Sequence, residues 1–363
     1  MWRRLPAGQV GHAAVMVVMP RQPHAGADSG PAAGGSADAA SPPDGLSSFV
    51  ARVLDQLTLS AWLPAALLTA SSALLVRFRA QESADVAAAV TALTGHAVVL
   101  LVLTVPALIV ATLLTQAFSF EAIRALEGYW RRRGPASALR TVMIRRQVRR
   151  KDKLLVRREQ ATERAMDAVR RDLRRDYGPM VLAALEAEAF GDDPPALSPD
   201  EEAVAAALSW RSRCHPWDLA RVDHLIAQEA EYPVTSRVLP TRLGNVIRTT
   251  EDELRHAGQD LEGFALRRRG MVPARVQIQH DQFRNRLDMY CTLVFVGAFL
   301  TALTPPVLVS HVHAWPVAIL VTLFAALSAT SYGAAIASAR GYCSALKQMD
   351  LADDKDAATA EPS

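Results

Sequence analysis

Hydrophobic residues in this chain are concentrated in long stretches that carry almost no charge. The first stretch, residues 57–77, mixes Leu, Ala and Val with Ser and Thr, whereas the second, residues 95–117, is nearly pure Val, Leu and Ile in its centre. A helix rises ~1.5 Å per residue, so about 20 apolar residues cross the ~30 Å of hydrocarbon in a bilayer. The pattern predicts two transmembrane helices, which form a first hairpin within residues 49–120.

The strongest hydrophobic signal is a run of 51 consecutive residues, 289–339, without Asp, Glu, Lys or Arg. The run is too long for one helix, and it is interrupted at 311–316 by HVHAWP. We therefore predict a second hairpin, with transmembrane helices at 289–309 and 315–337. A buried hairpin in a soluble core is the alternative, but the polar middle of the chain offers no matching apolar helices.

The middle of the chain, residues 121–288, shows apolar side chains at helical spacing between clusters of Gly and Pro, and no alternation typical of strands. Residues 138–176 are predicted to form one long, mostly charged helix with Ser137 as its N-cap. Shorter helices are predicted near 200–212, 217–231, 240–256 and 273–288. The predicted fold class is therefore all-α: an integral membrane protein with four transmembrane helices in two hairpins and a helical region between them.

The two ends of the chain are predicted to be tails. Residues 1–48 are rich in Ala, Gly, Ser, Pro and Asp and lack apolar periodicity, as is typical of disorder. Their apolar patch at 15–19 is shorter than the roughly 7–15 residues of a signal-peptide core, so no cleavage is expected. Residues 340–363 are predicted to form a cytoplasmic C-terminal tail.

The distribution of charge predicts the orientation in the membrane. Residues 121–175 carry 18 Lys or Arg against 7 Asp or Glu, whereas the turn between the first two spans holds only Arg77 and Arg79. Basic loops remain on the cytoplasmic side of a membrane. We therefore expect a protein of the plasma membrane with both termini and residues 121–288 in the cytoplasm. The net charge of +3 is too small to indicate a nucleic-acid partner.

A dense basic cluster in the long helix is the first candidate for function. Its members are Arg145, Arg146, Arg149, Arg150, Lys151 and Lys153. Such a cluster beside a membrane exit attracts anionic lipid head groups at about 1 kcal/mol per residue. The simpler alternative, which the sequence favours, is a solvated face that pairs with the acidic excess of residues 176–288, where 19 Asp or Glu face 13 Lys or Arg.

No combination of residues indicates catalysis, a cofactor or a metal. His311 and His313 lack a neighbouring carboxylate or third histidine and fit an interfacial turn better than a metal site. Cys214 and His215 are adjacent, which is not how a nucleophile and its base are recognised. The chain lacks nucleotide-binding motifs, and its spans lack the charged residues of proton relays, so neither an enzyme nor a secondary transporter is expected.

The most distinctive string runs from residue 232 to 254, YPVTSRVLPTRLGNVIRTTEDEL. We expect a structural motif in which Pro240 occupies the first turn of a helix and Gly244 permits close approach of another backbone. Thr241 is a further member. Arg242 and Asn245 are polar groups that can bond across such a contact, and Arg248 precedes Asp252 by four residues.

This string, with its core LPTRLGNVIR at 239–248 and with EGYW at 127–130, resembles a family of uncharacterised bacterial multi-pass membrane proteins. The likeness continues weakly through QFRNRLDMY into the third span. The chain departs from it at HAGQDLEGFALRRRGMVP, where such proteins tend to carry a YG and a Trp-Pro segment. The resemblance implies paired spans around a cytoplasmic helical region, and it implies no activity.

The expected function is that of a non-enzymatic membrane scaffold or sensor, with an unknown cytoplasmic protein partner at its helical region. The alternative is a channel built by oligomerisation and lined by Ser, Thr and Gln116. A homo-oligomer is expected to form through small residues of the fourth span, which permit close packing of helices. These residues are Ala325, Ala326, Ser328, Ala329, Gly333 and Ala334.

Overall fold

The computed structural model describes residues 59–81, 97–130, 134–254 and 261–359. The predicted N-terminal tail, 1–48, and residues 82–96 of the turn between the first two spans lie outside these residues, whereas Arg77 and Arg79 belong to the first helix. Across the described ranges, helices are the only regular structure, in agreement with the predicted all-α class.

Eleven α-helices occur in the described ranges. They are α1 (Leu59–Gln81), α2 (Ala97–Glu127), α3 (Pro135–Leu173), α4 (Pro179–Phe190), α5 (Pro199–Ala207), α6 (Trp210–Arg213), α7 (Pro216–Glu229), α8 (Arg242–Glu253), α9 (Leu261–Arg268), α10 (Ala274–Leu308) and α11 (Ala314–Thr359), and a 3₁₀ turn (Thr235–Arg237) precedes α8.

Four of these helices, α1, α2, α10 and α11, pack together as an apolar bundle. Each is long and apolar enough to cross a membrane, so the prediction of four such helices is confirmed. Large apolar side chains cover the outside of the bundle: Leu113 is 61% exposed, Phe118 65% and Leu323 59%. Such a surface is costly in water, at about 25 cal/mol per Å², and is at no disadvantage in hydrocarbon.

The closest packing in the bundle joins α10 to α11 through small residues. A Cβ on Gly297 would lie 2.9 Å from the backbone nitrogen of Ser328, and the Ser328 hydroxyl donates to the carbonyl of Val294 at 2.9 Å. Further along, a Cβ on Gly341 would lie 2.6 Å from the ring of Phe283. The contact positions run in opposite directions along the two helices, so α10 and α11 are antiparallel.

The long charged helix, α3, begins earlier than the predicted residue 138 and ends before residue 176. Gly134 is its N-cap and Pro135 its first residue, because the fixed φ of proline suits a first helical position. The predicted N-cap, Ser137, is instead inside the helix, where its hydroxyl donates to the carbonyl of Gly134 at 2.8 Å. Beyond Arg158, α3 packs against α4, α6 and α7 around the buried Trp210, and we call these helices with α5 the α3 lobe.

The second and fourth of the long helices continue at least ten residues past the predicted ends of their spans. The second helix continues past residue 117 to Glu127, where Gly128 takes φ +92° and ends it. The fourth continues past residue 337 to Thr359, so most of the predicted C-terminal tail is helical. This extension is stabilised by burial of apolar and aromatic side chains, namely Tyr342, Cys343, Leu346 and Met349.

Candidate functional site

The two strings that carry the family resemblance lie against each other in space. A Cβ on Gly128 would lie 2.6 Å from Cδ of Pro240, and one on Gly244 would lie 2.8 Å from the carbonyl carbon of Glu127 and closer still to its oxygen. Neither contact leaves room for a side chain, so both positions require glycine. We call this contact between 127–130 and 239–250 the joint.

A side-chain cap fixes the start of α8 within the joint. Thr241 is the N-cap, and its hydroxyl accepts from the backbone N–H of Gly244 at 3.1 Å. Pro240 therefore lies before the helix, and the prediction that it occupies the first turn is wrong. The reason is that a threonine hydroxyl can satisfy a free N–H of the first turn, whereas proline cannot.

Asn245 is the most deeply buried polar residue of the joint, with no exposed surface. Its side-chain oxygen accepts from the N–H of Leu239 at 2.7 Å, and its side-chain nitrogen donates to the Leu239 carbonyl at 3.2 Å. A single side chain thus satisfies both backbone groups of a residue that lies outside any helix. Buried backbone groups cost about 1–3 kcal/mol when unpaired, so Asn245 holds this segment in place.

The joint also contacts α11. The hydroxyl of Tyr332 accepts from the backbone N–H of Arg242 at 3.2 Å, and Sγ of Cys343 lies 3.9 Å from the carbonyl oxygen of Val246. Residues 239–250 therefore lie between α2, which belongs to the first half of the chain, and α11, which belongs to the second half.

Ion pairs surround the joint. Glu231 is only 14% exposed and pairs with Arg242 at 2.9 Å and with Arg340 at 2.6 Å. Arg248 pairs with Glu251 at 2.6 Å rather than with Asp252, four residues on, which pairs with Arg237. Glu231 and its two arginine partners thus link the segment before α8 to α8 itself and to α11.

A third element, α3, reaches the joint through Gln147. Its amide donates to the carbonyl of Pro240 at 3.5 Å and its carbonyl accepts from the Tyr232 hydroxyl at 3.2 Å. Burial raises the pKa of the Tyr232 phenol. One turn on, Lys151 donates to the carbonyl of Pro233 at 2.7 Å.

The structure divides the predicted basic cluster. Lys151 is turned inward, whereas Arg145, Arg146, Arg149, Arg150 and Lys153 are exposed and line an open groove of about 530 Å³. None of these five forms an ion pair with any residue in the described ranges. Glu229, a carboxylate of α7, pairs with Arg158 further along α3 at 2.7 Å and not with this cluster.

A cavity of about 370 Å³ beside the joint was not predicted from the sequence. Five helices, α2, α8, α9, α10 and α11, and the segment just after α2 contribute residues to its lining. The charged and aromatic ones include Arg124, Glu127, Tyr129, Glu251, Glu262, Arg284 and Tyr342. Glu262 pairs with Arg284, and burial with the nearby charge of Glu251 raises the pKa of the Tyr129 phenol. Glu127 and Tyr129 belong to the EGYW string and Glu251 to the string 232–254, but Arg124, Glu262, Arg284 and Tyr342 belong to neither, so no local signal predicted that these residues meet.

The remaining sequence candidates have ordinary structural roles. Burial raises the pKa of the Cys214 thiol, and the ring of His215 caps α7 by accepting from the N–H of Trp217 at 3.4 Å. The ring of His311 bonds to the Ser310 hydroxyl at 2.7 Å. Within the described ranges, no group of His, Cys, Asp or Glu is arranged to hold a metal ion.

The described geometry brings the EGYW and LPTRLGNVIR strings together but does not identify the family they resemble, which stays a prediction. Comparison of the chain with protein-family models, with curated proteins and with solved structures found no match.

Proposed function

We propose that this chain is a multi-pass membrane scaffold or sensor that presents its helical region to a cytoplasmic protein partner. In this proposal the apolar bundle spans the plasma membrane as two hairpins, with both termini and the α3 lobe in the cytoplasm. The observation that carries the proposal is the joint, because one segment contacts α2, α3 and α11 at once. A helical region fixed to both hairpins is suited to couple partner docking to their packing.

The most suitable docking residue on the α3 lobe is Trp217. This residue lies in the first turn of α7 and is 80% exposed. Tryptophan is enriched among the few residues that dominate protein–protein binding, because it buries a large rigid surface. An indole left in water at the surface of a cytoplasmic lobe is therefore the first place to expect a partner.

Affinity purification of the full chain after crosslinking in cells tests the scaffold. Wild type is compared with Trp217→Ala and with the control Trp315→Ala. Trp315 is matched because it is also an exposed tryptophan, at 69%, but it lies at the start of α11, at the opposite end of the bundle. We expect one reproducible partner that Trp217→Ala loses and Trp315→Ala retains. Recovery of no reproducible partner, or equal loss in both variants, would count against the scaffold.

The outer face of α11 supports the further proposal of a homo-oligomer. Ala325, Ala326, Ala329 and Gly333 are exposed there, whereas Ser328 packs against α10 and is removed from the predicted face. Close helix packing through small residues is disrupted by a large side chain, so Gly333→Leu should reduce self-association in size-exclusion and crosslinking assays. The alternative prediction, a pore formed by such an oligomer, is tested by conductance of the purified protein in reconstituted vesicles.

A further inference from the structure

We propose that the outer face of α3 is a membrane-contact surface that binds the anionic head groups of the chain's own bilayer. This face consists of Leu139, Val142, Arg146, Arg149, Lys153 and Val156, with Arg145 and Arg150 at its borders. The inference rests on insertion of the apolar bundle in a membrane, which belongs to the proposed function. It does not depend on a protein partner at Trp217.

The spacing of these residues places them on one side of the helix. They follow one another at intervals of three or four residues, which lie one above another on an α-helix. Val142 is 59% exposed and Val156 50%, although both are large and apolar. The opposite side, with Gln147 and Lys151, makes the contacts to residues 232–240. The outer face is thus open along its length, while the inner face contacts residues 232–240.

The contacts of Gln147 set the height of this face relative to the membrane. Gln147 bonds to Pro240, and Pro240 packs on Gly128, which lies eight residues beyond the apolar Phe120. At ~1.5 Å per residue, the joint is therefore at most about 12 Å from the end of the apolar stretch of α2. The head-group layer occupies roughly 5–7 Å of that distance, and the rest is within a Debye length of ~8 Å.

A second contact, on another helix, also keeps the joint near the membrane. The backbone N–H of Arg242, two residues after Pro240, donates to the hydroxyl of Tyr332. Tyr332 lies inside the charge-free run 289–339, eight residues before Arg340, the first charged residue after it. Two helices thus place the middle of the basic face within the head-group layer or within a Debye length of it.

The charge along α3 changes with distance from the joint. Residues 140–153 hold seven Lys or Arg and a single Asp, whereas residues 154–173 hold five Arg and four Asp or Glu. The basic excess is thus confined to the part of the helix that lies beside the joint. The exposed valines and leucine above and below the arginines can enter the membrane interface beside the head groups that the arginines attract. This combination fits an anionic lipid surface better than an acidic protein or a nucleic acid.

The test uses the full chain in nanodiscs of phosphatidylcholine alone or with phosphatidylglycerol. Single cysteines replace Val142, Val156 or, as a matched control on α5, the exposed Val204, and each carries an environment-sensitive fluorophore. The native cysteines, Cys214, Cys291 and Cys343, are all buried, so labelling is selective. A lipid-borne quencher should quench the probes at 142 and 156 more strongly when phosphatidylglycerol is present, and it should leave the probe at 204 unchanged.

Charge removal supplies the second arm of the test. The triple variant R146Q/R149Q/K153Q should lower quenching at 142 and 156 by about half or more, because each charge contributes to attraction by anionic lipid. The matched triple R164Q/R171Q/R174Q removes the same charge from the exposed far end of α3 and should change little.

Three results would overturn the membrane-contact surface. They are equal quenching in both lipid mixtures, equal loss in both triple variants, and a probe at 142 that responds to added RNA or acidic protein but not to lipid. A probe at Leu323, which is exposed on α11, reports insertion separately and should be quenched in every nanodisc. Its failure would overturn bundle insertion together with the membrane-contact surface, whereas failure at 142 and 156 alone leaves the scaffold proposal standing.

Discussion

Replacement of Gly244 by alanine should weaken the joint, although alanine normally favours a helix by about 1 kcal/mol over glycine. The new Cβ would lie 2.8 Å from the Glu127 carbonyl carbon and closer still to its oxygen. These are backbone atoms, so no rotamer change relieves the overlap, and α8 must move away from α2. Overpacking costs about 1–3 kcal/mol, and overlap with backbone atoms places this case at about 2–3 kcal/mol, which exceeds the gain in propensity. We expect a net loss of about 1–2 kcal/mol.

The three buried cysteines provide the assay. A thiol-reactive fluorogenic dye reports unfolding of the purified protein in detergent, and a loss of this size should lower the unfolding temperature by roughly 2–8 °C. Cys343 lies under the joint, with its sulfur 3.9 Å from the carbonyl oxygen of Val246, whereas Cys214 belongs to the core of the α3 lobe. Gly244→Ala should therefore expose Cys343 at temperatures where Cys214 is still protected.

The matched control is Gly333→Ala, which is also within a helix but has nothing within 4 Å of its Cβ position. This variant should unfold at the wild-type temperature or slightly above it. The reasoning is refuted if Gly244→Ala melts with the control and leaves Cys343 protected, because the joint would then tolerate a side chain where the geometry leaves no room for one.

Three further predictions concern polar groups of the joint. Asn245→Leu should destabilise the fold by about 1–3 kcal/mol for each of the two backbone groups it leaves unpaired, measured by the same dye assay. Glu231→Gln should lower the free energy of unfolding by about 1–2 kcal/mol, since its two arginine partners are partly screened by solvent. Asp223→Asn, at an exposed pair, should lower it by less than about 0.5 kcal/mol, and equal effects of the two variants would contradict this ranking. The pKa of Tyr232 is raised above 10.0, so its protonated phenol stabilises the fold below pH 10 and this contribution is lost as pH rises through the folded-state pKa. Tyr232→Phe should therefore show a shallower loss of stability above pH 10, and an unchanged slope would exclude this residue as the cause.

The parts of the fold that could be predicted from sequence are those determined by neighbouring residues. A charge-free run of 51 residues requires apolar surroundings wherever it lies, so the four long helices followed from local composition. Gly244 in a polar helix indicated a close backbone contact, but nothing local identified Glu127 as its partner. The cavity beside the joint, lined in part by Glu262 and Arg284, depends on five helices meeting, and no pattern along the chain encodes that meeting.

Charge pairing was equally hard to predict, because a long side chain can choose among several partners at similar distance. Helical spacing allowed a pair between Arg248 and Asp252, yet Glu251 takes that arginine and Asp252 bonds to Arg237 outside the helix. The predicted basic cluster is divided for the same reason, because Lys151 donates to a backbone carbonyl and is turned away from the exposed members.

The joint has a consequence for the order in which the chain assembles during synthesis. It connects Gly128 to Pro240 and Arg242 to Tyr332, so each contact closes a loop of about ninety to one hundred and ten residues. The α3 lobe, by contrast, is built from residues that emerge from the ribosome together, and contacts local in sequence form first. The lobe can therefore fold while the second half of the chain is still being made, and the joint can close only once α11 has been made. A chain interrupted before α11 would carry a folded lobe and an open joint, with residues 239–250 uncovered on the side that α11 contacts.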